Sequence, residues 1–504
     1  MRKVKQNSKK YTVNIIFAFV VALSALLFHS TVAQGIEFAT KLNFSVPEER
    51  VWVGPYFWAN RLQDWRSTPE GIKSVTKDIK NDYRTVHLLS HRIGKEEGSF
   101  QFRIEIKPLM SSSETFDSFS GFLIGAGGDM ELQASALVHH SPGENGGIMA
   151  GMDENGRAVF RDFTKKNAPV IGTGKVPNRF CPAYRIQLQG SQKGEWIHLW
   201  LYVFDAETNK LLSDASIERL TAKQVEGNIA LVSHPGKGSV PANFIFQNLE
   251  IKGDKVKEVS SEDKEVGPII GALYTISKGT LYLSAQMFPL GQNEGSEVSL
   301  EVEQWMKWSE IARAKVDKSA WVARFEVPNW ERNKDTPYRV VIQLNDSNGK
   351  IQSFAFYGTI RKEPKDNDAF VLAAFTCSRM VGGDGVDSGS FDWTPGKVWF
   401  PHSDLVSRVN AHNPDFLFFS GDQIYQYASP TRPEIDILDY LYRWYLWCWS
   451  FRHLTRERPT VCIPDDHDIY QGNLWGAGGR PAKNQDDGGY VYPPEFVNAI
   501  QKTQ

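Results

Sequence analysis

The sequence has little cysteine, no surplus of positive charge and no apolar run long enough to cross a membrane. Four cysteines in 504 residues are too few for a disulfide-stapled scaffold. Cys448 and Cys462 could pair, but both lie in apolar segments, where buried free thiols are the preferred interpretation. The 57 lysines and arginines are balanced by 59 aspartates and glutamates, so the composition gives no basic surface for nucleic acid.

The N-terminal apolar segment is typical of an export signal. Five basic residues and no acidic one precede an apolar run from Ile15 to Phe28, which is shorter than the ~20 residues of a spanning helix. The small residues Thr31 and Ala33 follow, so residues 1–33 are predicted to be a signal peptide; an uncleaved anchor is the alternative. Cleavage would move the formal net charge from −2 to about −7, because five positive charges leave. We expect a periplasmic, cell-surface or extracellular protein.

Residues 42–252 have the pattern of a β-sandwich. Short segments alternate apolar and polar residues between glycine, asparagine and aspartate, and Asn155-Gly156 is a strong hairpin signal. The pattern resembles the concanavalin-like jelly rolls that accompany many secreted hydrolases. A glycan contact is therefore a candidate role, with Trp58 and Trp65 as stacking candidates, although aromatic residues of a sandwich usually belong to its core.

His139-His140 resembles a metal-binding pair only superficially. Neighbouring residues of a strand point to opposite faces, so the two rings cannot chelate one ion without a bulge. Both are interpreted as loop or edge residues.

A second β-region is predicted after a polar linker. Residues 253–267 are charged and poor in apolar residues, which is the composition of a linker. Several short alternating strands then follow within 268–362, a spacing that predicts a small immunoglobulin-like or fibronectin-like sandwich. We expect it to be a spacer that packs on the region from 368 to 504.

From residue 368 onward the pattern becomes that of an α/β unit. The runs FVLAAF and FLFF are continuous and apolar, as in strands covered on both faces. Residues 401–414 carry apolar side chains at helical spacing, and 433–454 has the length and apolar content of a crossover helix. The segment FLFFSGD, this helix and TVCIPDDHD therefore predict neighbouring parallel strands in a βαβαβ arrangement.

Donor side chains follow each of the three predicted strands. Cys377 follows the first, Asp422 and Tyr425 the second, and Asp466 and His467 the third. The carboxyl ends of parallel strands meet at one edge of a sheet, so these five groups should converge there. Such a set predicts a centre for cations that bind phosphate. Asp465 and Asp468 are expected to hold the loop or the histidine instead of a metal.

The segments FTCSR, FLFFSGDQIYQ and CIPDDHDIYQGN resemble the alkaline phosphatase D (PhoD-like) family of the calcineurin-like metallophosphoesterases. Members of that family commonly carry a β-sandwich domain before the catalytic one. The resemblance implies a secreted, metal-dependent phosphoric ester hydrolase, an alkaline phosphatase or a phosphodiesterase, in which a metal-bound hydroxide attacks phosphorus. It also implies that residues 368–504 are the start of an α/β metallophosphoesterase domain.

The resemblance implies a pair of metal ions, Fe³⁺ with Ca²⁺ or another divalent cation. Asp422 would bridge the two ions, with Tyr425 as phenolate and Cys377 as thiolate favouring the ferric ion. Asp466 supplies a hard oxygen that suits the divalent cation, and Asn473 is a further candidate ligand.

Two further residues would act on the phosphate ester. His467 would protonate the leaving group or stabilise charge on the phosphoryl oxygens, and Arg379 would clamp the phosphate. A cysteine-phosphatase role for Cys377 is disfavoured, because such loops place arginine six residues after the cysteine and Gly383 stands there.

The sequence departs from the family pattern after the third strand. No histidine follows His467, and only 37 residues remain (504 minus 467). We therefore expect an incomplete member of the family that binds metals weakly by itself. The alternatives are a secreted carbohydrate-binding multidomain protein with an inactive, truncated phosphatase-like segment, and a metal-dependent sulfatase or nuclease.

Overall fold

A computed structural model describes residues 40–76, 83–109, 115–137, 142–238, 240–365, 368–382, 394–426, 435–471 and 480–504. The predicted signal peptide, the pair His139-His140 and Asn473 lie outside the described residues. Residues Leu42–Gln504 form one compact unit. Across the described ranges, every helix is too short or too polar to cross a membrane.

The described part of the N-terminal region consists of β-strands and one short α-helix, α1 (Leu132–Ser135). The strands are β1 (Thr40–Leu42), β2 (Phe57–Asn60), β3 (Trp65–Thr68), β4 (Gly71–Ser74), β5 (Arg84–Ile93), β6 (Ser99–Pro108), β7 (Thr115–Phe116), β8 (Phe119–Ala126), β9 (Ile148–Asp153), β10 (Ala158–Asp162), β11 (Val170–Thr173), β12 (Tyr184–Lys193), β13 (Trp196–Asp205), β14 (Leu211–Thr221), β15 (Gly227–His234), β16 (Lys237–Gly238), β17 (Phe244–Lys252) and β18 (Val256–Glu258). Short 3₁₀ helices cover Leu62–Asp64 and Ala222–Gln224.

Two antiparallel sheets face each other and confirm the predicted sandwich. One sheet has the strand order β14-β13-β12-β6-β17-β4-β3, and the other has the order β11-β10-β9-β8-β15-β5-β18, with β2 beside β5. In β13 every second side chain is buried, and these side chains join one apolar core with Phe122 and Phe160 of the opposite sheet. The alternation seen in the sequence is therefore the inward face of each strand.

The hairpin at Asn155-Gly156 is confirmed, because it joins β9 to β10 in antiparallel register. Trp58 and Trp65 are 1% and 0% exposed. Both rings therefore belong to the interior, and neither is available to stack on a sugar.

The segment 253–267 is not a free linker, contrary to its composition. β18 lies within it and pairs with β5, which extends the first sandwich beyond residue 252. A 3₁₀ helix at Glu262–Lys264 follows, and Asp263 is buried. Charged residues are ordered here because Arg452 pairs with Asp263 at 2.6 Å, a tertiary contact that composition does not reveal.

The second β-region folds as one seven-stranded antiparallel sheet. Its strands are β19 (Ile269–Ser277), β20 (Thr280–Met287), β21 (Glu297–Gln304), β22 (Lys307–Asp317), β23 (Val322–Val327), β24 (Thr336–Asn345) and β25 (Ile351–Ile360), in the order β19-β20-β23-β22-β21-β24-β25. β22 pairs with β21 along most of its length and with β23 at its end. Tyr274 and Tyr338 from the two halves meet at a ring distance of 6.3 Å, so the interior is that of a sandwich.

The C-terminal region contains the predicted βαβαβ arrangement. Its elements are β26 (Leu372–Phe375), α2 (Ser403–Ala411), β27 (Phe416–Phe419), α3 (Ile437–Thr455), β28 (Thr460–Cys462) and α4 (Pro494–Thr503), with 3₁₀ turns at Pro395–Lys397, His467–Ile469 and Gln485–Asp487. The three strands are parallel in the order β26-β27-β28. α3 covers one face of this sheet, where the ring centroids of Trp447 and Phe419 lie 4.8 Å apart.

The apolar run of the first parallel strand predicted a strand covered on both faces, and this prediction is wrong. Leu372 is 52% exposed, and Phe370 just before the strand is 60% exposed. An apolar run shows that a strand can be buried on both faces, but here only the face towards α3 is covered.

Helix α3 packs against all three β-regions. Trp449 contacts Trp58 of the first sandwich with ring centroids 4.7 Å apart. Trp444 donates from Nε1 to Gln286 Oε1 of the second region at 3.0 Å. The aromatic helix is therefore buried, which is typical of a helix that is apolar on all sides, and the second β-region packs on the C-terminal one as expected. All four cysteines are free.

Candidate metal centre

The candidate centre lies where the three parallel strands end. The chain leaves β26 and β27 side by side: Cys377 N donates to Gly421 O at 3.2 Å, and Ser378 N donates to Asp422 O at 2.8 Å. Cys377 and Asp422 both have left-handed backbones, with φ of 59° and 57°. Residues with side chains rarely adopt this conformation, and it clusters at functional sites. Here it turns both side chains out of the strand direction.

Asp422 is the centre of the donor groups. Its Oδ2 accepts a hydrogen bond from Tyr425 Oη at 2.8 Å and lies 3.5 Å from Cys377 Sγ. Donor atoms of Asp422, Asp466 and His467 lie within 4.8 Å of one another. We call Cys377, Asp422, Tyr425, Asp466 and His467 the edge cluster. The sequence placed these residues at one sheet edge, and the structure brings them together.

Asp468 organises the two loops that carry the edge cluster. It is 0% exposed and accepts hydrogen bonds from the backbone N–H groups of Asp422 at 2.8 Å, Ile424 at 3.1 Å and Asp465 at 2.9 Å. Gln504 Nε2 donates to it at 3.2 Å. Burial raises the pKa of Asp468 to about 7 although these donors act in the opposite direction. The expectation that Asp468 holds the loop is confirmed.

His467 is oriented by a residue that the sequence analysis did not single out. Its Nδ1 lies 3.0 Å from Gln426 Oε1, and an amide oxygen only accepts, so Nδ1 carries the proton and Nε2 is left for other partners. The imidazole also lies 4.5 Å from the Tyr425 ring. The signal for Gln426 was its position directly after Tyr425 in the same segment.

Arg379 stands next to the edge cluster. Its guanidinium carbon lies 5.5 Å from the centre of the Tyr425 ring. The guanidinium is therefore placed beside the phenol of the edge cluster.

The donor set fits cations, on two observations. Asp422 Oδ1 is buried and has no hydrogen-bond partner among the described residues, so an acceptor oxygen is left for a ligand. Burial, with the neighbouring Cys377 and Asp422, raises the pKa of Tyr425 well above its usual value. The phenol therefore stays protonated and donates its hydrogen bond to Asp422 Oδ2. Carboxylate and phenol oxygens suit hard cations, and the thiol suits iron.

Comparisons with known proteins give no family for this chain. No protein-family model and no curated protein matches the sequence. Similar solved structures include lectin UEA-II complexed with galactose, 10% identical with a TM-score of 0.31, over 43% of this chain and 99% of that one. Lectin I from Ulex europaeus with the methyl glycoside of α-L-fucose is 12% identical with a TM-score of 0.29, over 43% and 98%. The Ca²⁺/Man3GlcNAc-bound exoplasmic/lumenal domain of VIP36 is 10% identical with a TM-score of 0.26, over 38% and 81%. At these values none of the three assigns this chain to a family.

Proposed function

We propose that this chain belongs to a metal-dependent phosphoric ester hydrolase of the PhoD-like type, acting outside the cytoplasm. The observation that carries the proposal is the edge cluster itself: a thiol, two carboxylates, a phenol and an imidazole from three successive strand ends around one buried carboxylate. The convergence of such groups from three separate loops supports a site at this sheet edge.

Each residue of the site has a distinct part in this proposal. Asp422, Cys377 and Tyr425 would hold the Fe³⁺ ion, and Asp422 and Asp466 would hold the Ca²⁺ or other divalent cation. When bound, the cations neutralise charge on the phosphoryl oxygens and lower the pKa of a water molecule. Asn473 is proposed as a further ligand.

The proton and the phosphate are handled by the protein's own side chains. His467 Nδ1–H is held by Gln426, so the ring in its doubly protonated form would donate the Nε2 proton to the leaving oxygen. Arg379 binds phosphoryl oxygens with its planar fork. We also propose the finer fold assignments: a concanavalin-like jelly roll, a small immunoglobulin-like or fibronectin-like sandwich and the start of an α/β metallophosphoesterase domain.

The proposal is tested by metal content and turnover in the protein and in its Asp422→Ala variant. The proteins are incubated with excess iron and calcium or manganese, and metal is measured by mass spectrometry. Turnover is compared on p-nitrophenyl phosphate, bis-p-nitrophenyl phosphate and p-nitrophenyl sulfate. Asp404→Asn, at an exposed position of α2, is the matched control.

With metal in excess, the expected result is weak but measurable metal binding and phosphoester turnover in the protein and in Asp404→Asn, with turnover lost at least about a hundredfold in Asp422→Ala. Removing a residue behind a metal ligand already costs about 10- to 100-fold, and a direct ligand should cost no less. Full turnover and metal content in Asp422→Ala would show that the site is wrong. Turnover of the sulfate alone would favour a sulfatase, and glycan binding without hydrolysis a carbohydrate-binding protein.

A further inference from the structure

The hairpin between β21 and β22 presents two large apolar side chains to solvent. Gln304 pairs with Lys307, so Trp305 and Met306 alone form the turn. Trp305 is 94% exposed and Met306 is 92% exposed, the highest values of any large apolar residue that the structure describes. Single exposed apolar residues are common on proteins, but two adjacent ones at the tip of a long hairpin form an apolar wedge.

The backbone of this tip is one that tryptophan and methionine disfavour. Trp305 and Met306 have φ of 55° and 59°, which is the turn type that asparagine and glycine normally occupy. Side chains in this region meet the backbone and cost energy. Both the conformation and the exposure therefore count against these residues as a purely structural turn. Strain of this kind marks sites where a side chain is held for use.

The charges around the tip leave it without net charge. Glu303 and Lys307 flank the wedge with opposite signs. Further along the hairpin, Glu301 pairs with Arg339 at 2.6 Å and Glu310 with Arg313 at 2.7 Å. The surface behind the wedge is therefore neither strongly acidic nor strongly basic.

We propose that the Trp305-Met306 tip inserts into the headgroup region of a phospholipid bilayer. Tryptophan prefers the membrane interface, where its ring is buried and its N–H stays near polar groups. A convex wedge needs no matching pocket in a fluid interface. The absence of net charge at the tip fits a zwitterionic headgroup, in which Lys307 meets the phosphate and Glu303 the ammonium group. A protein partner would instead need a pocket shaped for both side chains.

The test compares the protein with the double variant Trp305→Asn and Met306→Gly. Asparagine and glycine favour this turn, so the variant keeps the hairpin and should unfold at the same or a higher temperature. Binding to phosphatidylcholine vesicles is measured by flotation, and vesicle protection of Met306 is measured by oxidative footprinting with mass spectrometry. Footprinting reports on the tip itself, whatever the apolar N-terminal segment contributes. Tyr282→Ser, which removes another exposed aromatic residue of the same sheet, is the matched control.

We expect phosphatidylcholine vesicles to slow oxidation of Met306 at least about fivefold, because insertion removes the thioether from water. The fraction of protein that floats with the vesicles should be at least about fivefold smaller for the double variant, and Tyr282→Ser should bind like the unaltered protein. Unprotected Met306, or equal flotation of the double variant, overturns the proposal. The proposal is also overturned if binding requires vesicles with equal parts of phosphatidylcholine and phosphatidylglycerol and persists in the double variant. A change from dimer to monomer in the double variant without lipid would show a protein contact instead.

Discussion

Individual buried polar residues carry much of the organisation of this molecule. Asp468 is the clearest case, since one carboxylate receives three backbone N–H groups from two loops. An ionisable group this deeply buried is costly unless its partners are in place. The three N–H donors offset this cost, and the same hydrogen bonds hold the two loops that carry Asp422 and Asp466.

Replacing Asp468 should weaken the site without removing a ligand. For Asp468→Ala we expect metal affinity to fall about 10- to 100-fold, the usual effect of losing a residue that orients ligands. Isothermal titration with a divalent cation measures the change. Asp468→Asn keeps one acceptor oxygen, so its metal affinity should lie between that of the unaltered protein and that of Asp468→Ala. Asp465→Ala is the comparison, because Asp465 is exposed and, among the residues that the structure describes, its side chain accepts only the Asp466 N–H. Unchanged affinity in Asp468→Ala would contradict this role.

A buried histidine should make stability depend on pH. Burial lowers the pKa of His234 to about 4, and its ring stacks on Phe119 at 4.7 Å. Between about pH 6.5 and about pH 4 the unfolded chain binds a proton that the folded chain does not. The free energy of unfolding should therefore fall as the pH is lowered, by about 2 kcal/mol between about pH 7 and about pH 5.

Urea titrations at the two pH values measure this effect. His234→Gln should remove that part of the pH dependence, while His412→Gln, at an exposed position, should leave it unchanged. An equal pH dependence in His234→Gln and the unaltered protein would show that other groups cause it.

At the scale of elements, the turn after β27 depends on a glycine. Gly421 has φ of 115°, and an added Cβ would lie 2.4 Å from Asp465 Cβ on the neighbouring loop. No other residue type combines this conformation with such a close approach. The two strand ends therefore lie close together only because this position lacks a side chain.

Gly421→Ala should separate the two loops and destabilise the C-terminal region. We expect a loss of at least about 2 kcal/mol in the free energy of unfolding, together with loss of metal binding. Gly396→Ala is the control, because its Cβ would meet nothing within 4 Å, and its effect should stay within about 0.5 kcal/mol. Calorimetry and metal titration of both variants check the prediction. Normal metal binding in Gly421→Ala would show that the loops tolerate the shift.

At the scale of the whole molecule, α3 joins regions that the sequence suggested as separate domains. Besides the Trp449 and Trp444 contacts, Tyr442 Oη donates to Asn60 Oδ1 of the first sandwich at 2.9 Å. The 3₁₀ helix after β18 adds the Asp263 and Arg452 pair. Burial alone would raise the pKa of Asp263, but His453 and Arg452 outweigh it and the pKa is lowered. Contacts this extensive predict cooperative unfolding of the three regions.

Trp449→Ala should test this cooperativity. Trp449 is 0% exposed and its Nε1 donates to Asp263 Oδ1 at 3.0 Å, so its loss should cost about 3 to 5 kcal/mol. The unaltered protein should unfold in one transition, seen at the same temperature by far-ultraviolet circular dichroism and by fluorescence. The variant should move that whole transition downward. Trp196→Ala, at a ring that is 46% exposed, should hardly move it. Separate transitions in the unaltered protein would contradict the shared role of α3.

Part of this architecture follows from local sequence patterns. Alternating residues predicted the strands of both β-regions, because the side-chain period of a strand is read directly from the chain. The continuous run FLFF and the aromatic segment at α3 predicted the parallel strands and their crossover helix. The carboxyl ends of parallel strands share one edge of a sheet, so the sequence pattern alone predicted that Cys377, Asp422 and Asp466 lie together.

Other features depend on partners distant in sequence, and these only the tertiary structure decided. Residues 253–267 look like a linker until Arg452 is brought to Asp263, and Trp58 looks available until α3 covers it. The apolar residues of β26 stay partly exposed because α3 covers one face only. The Trp305-Met306 turn is likewise invisible in the sequence, since exposure and backbone conformation are properties of the folded hairpin. Local periodicity thus determined which elements form, while long-range contacts determined which of their surfaces are buried and which remain for function.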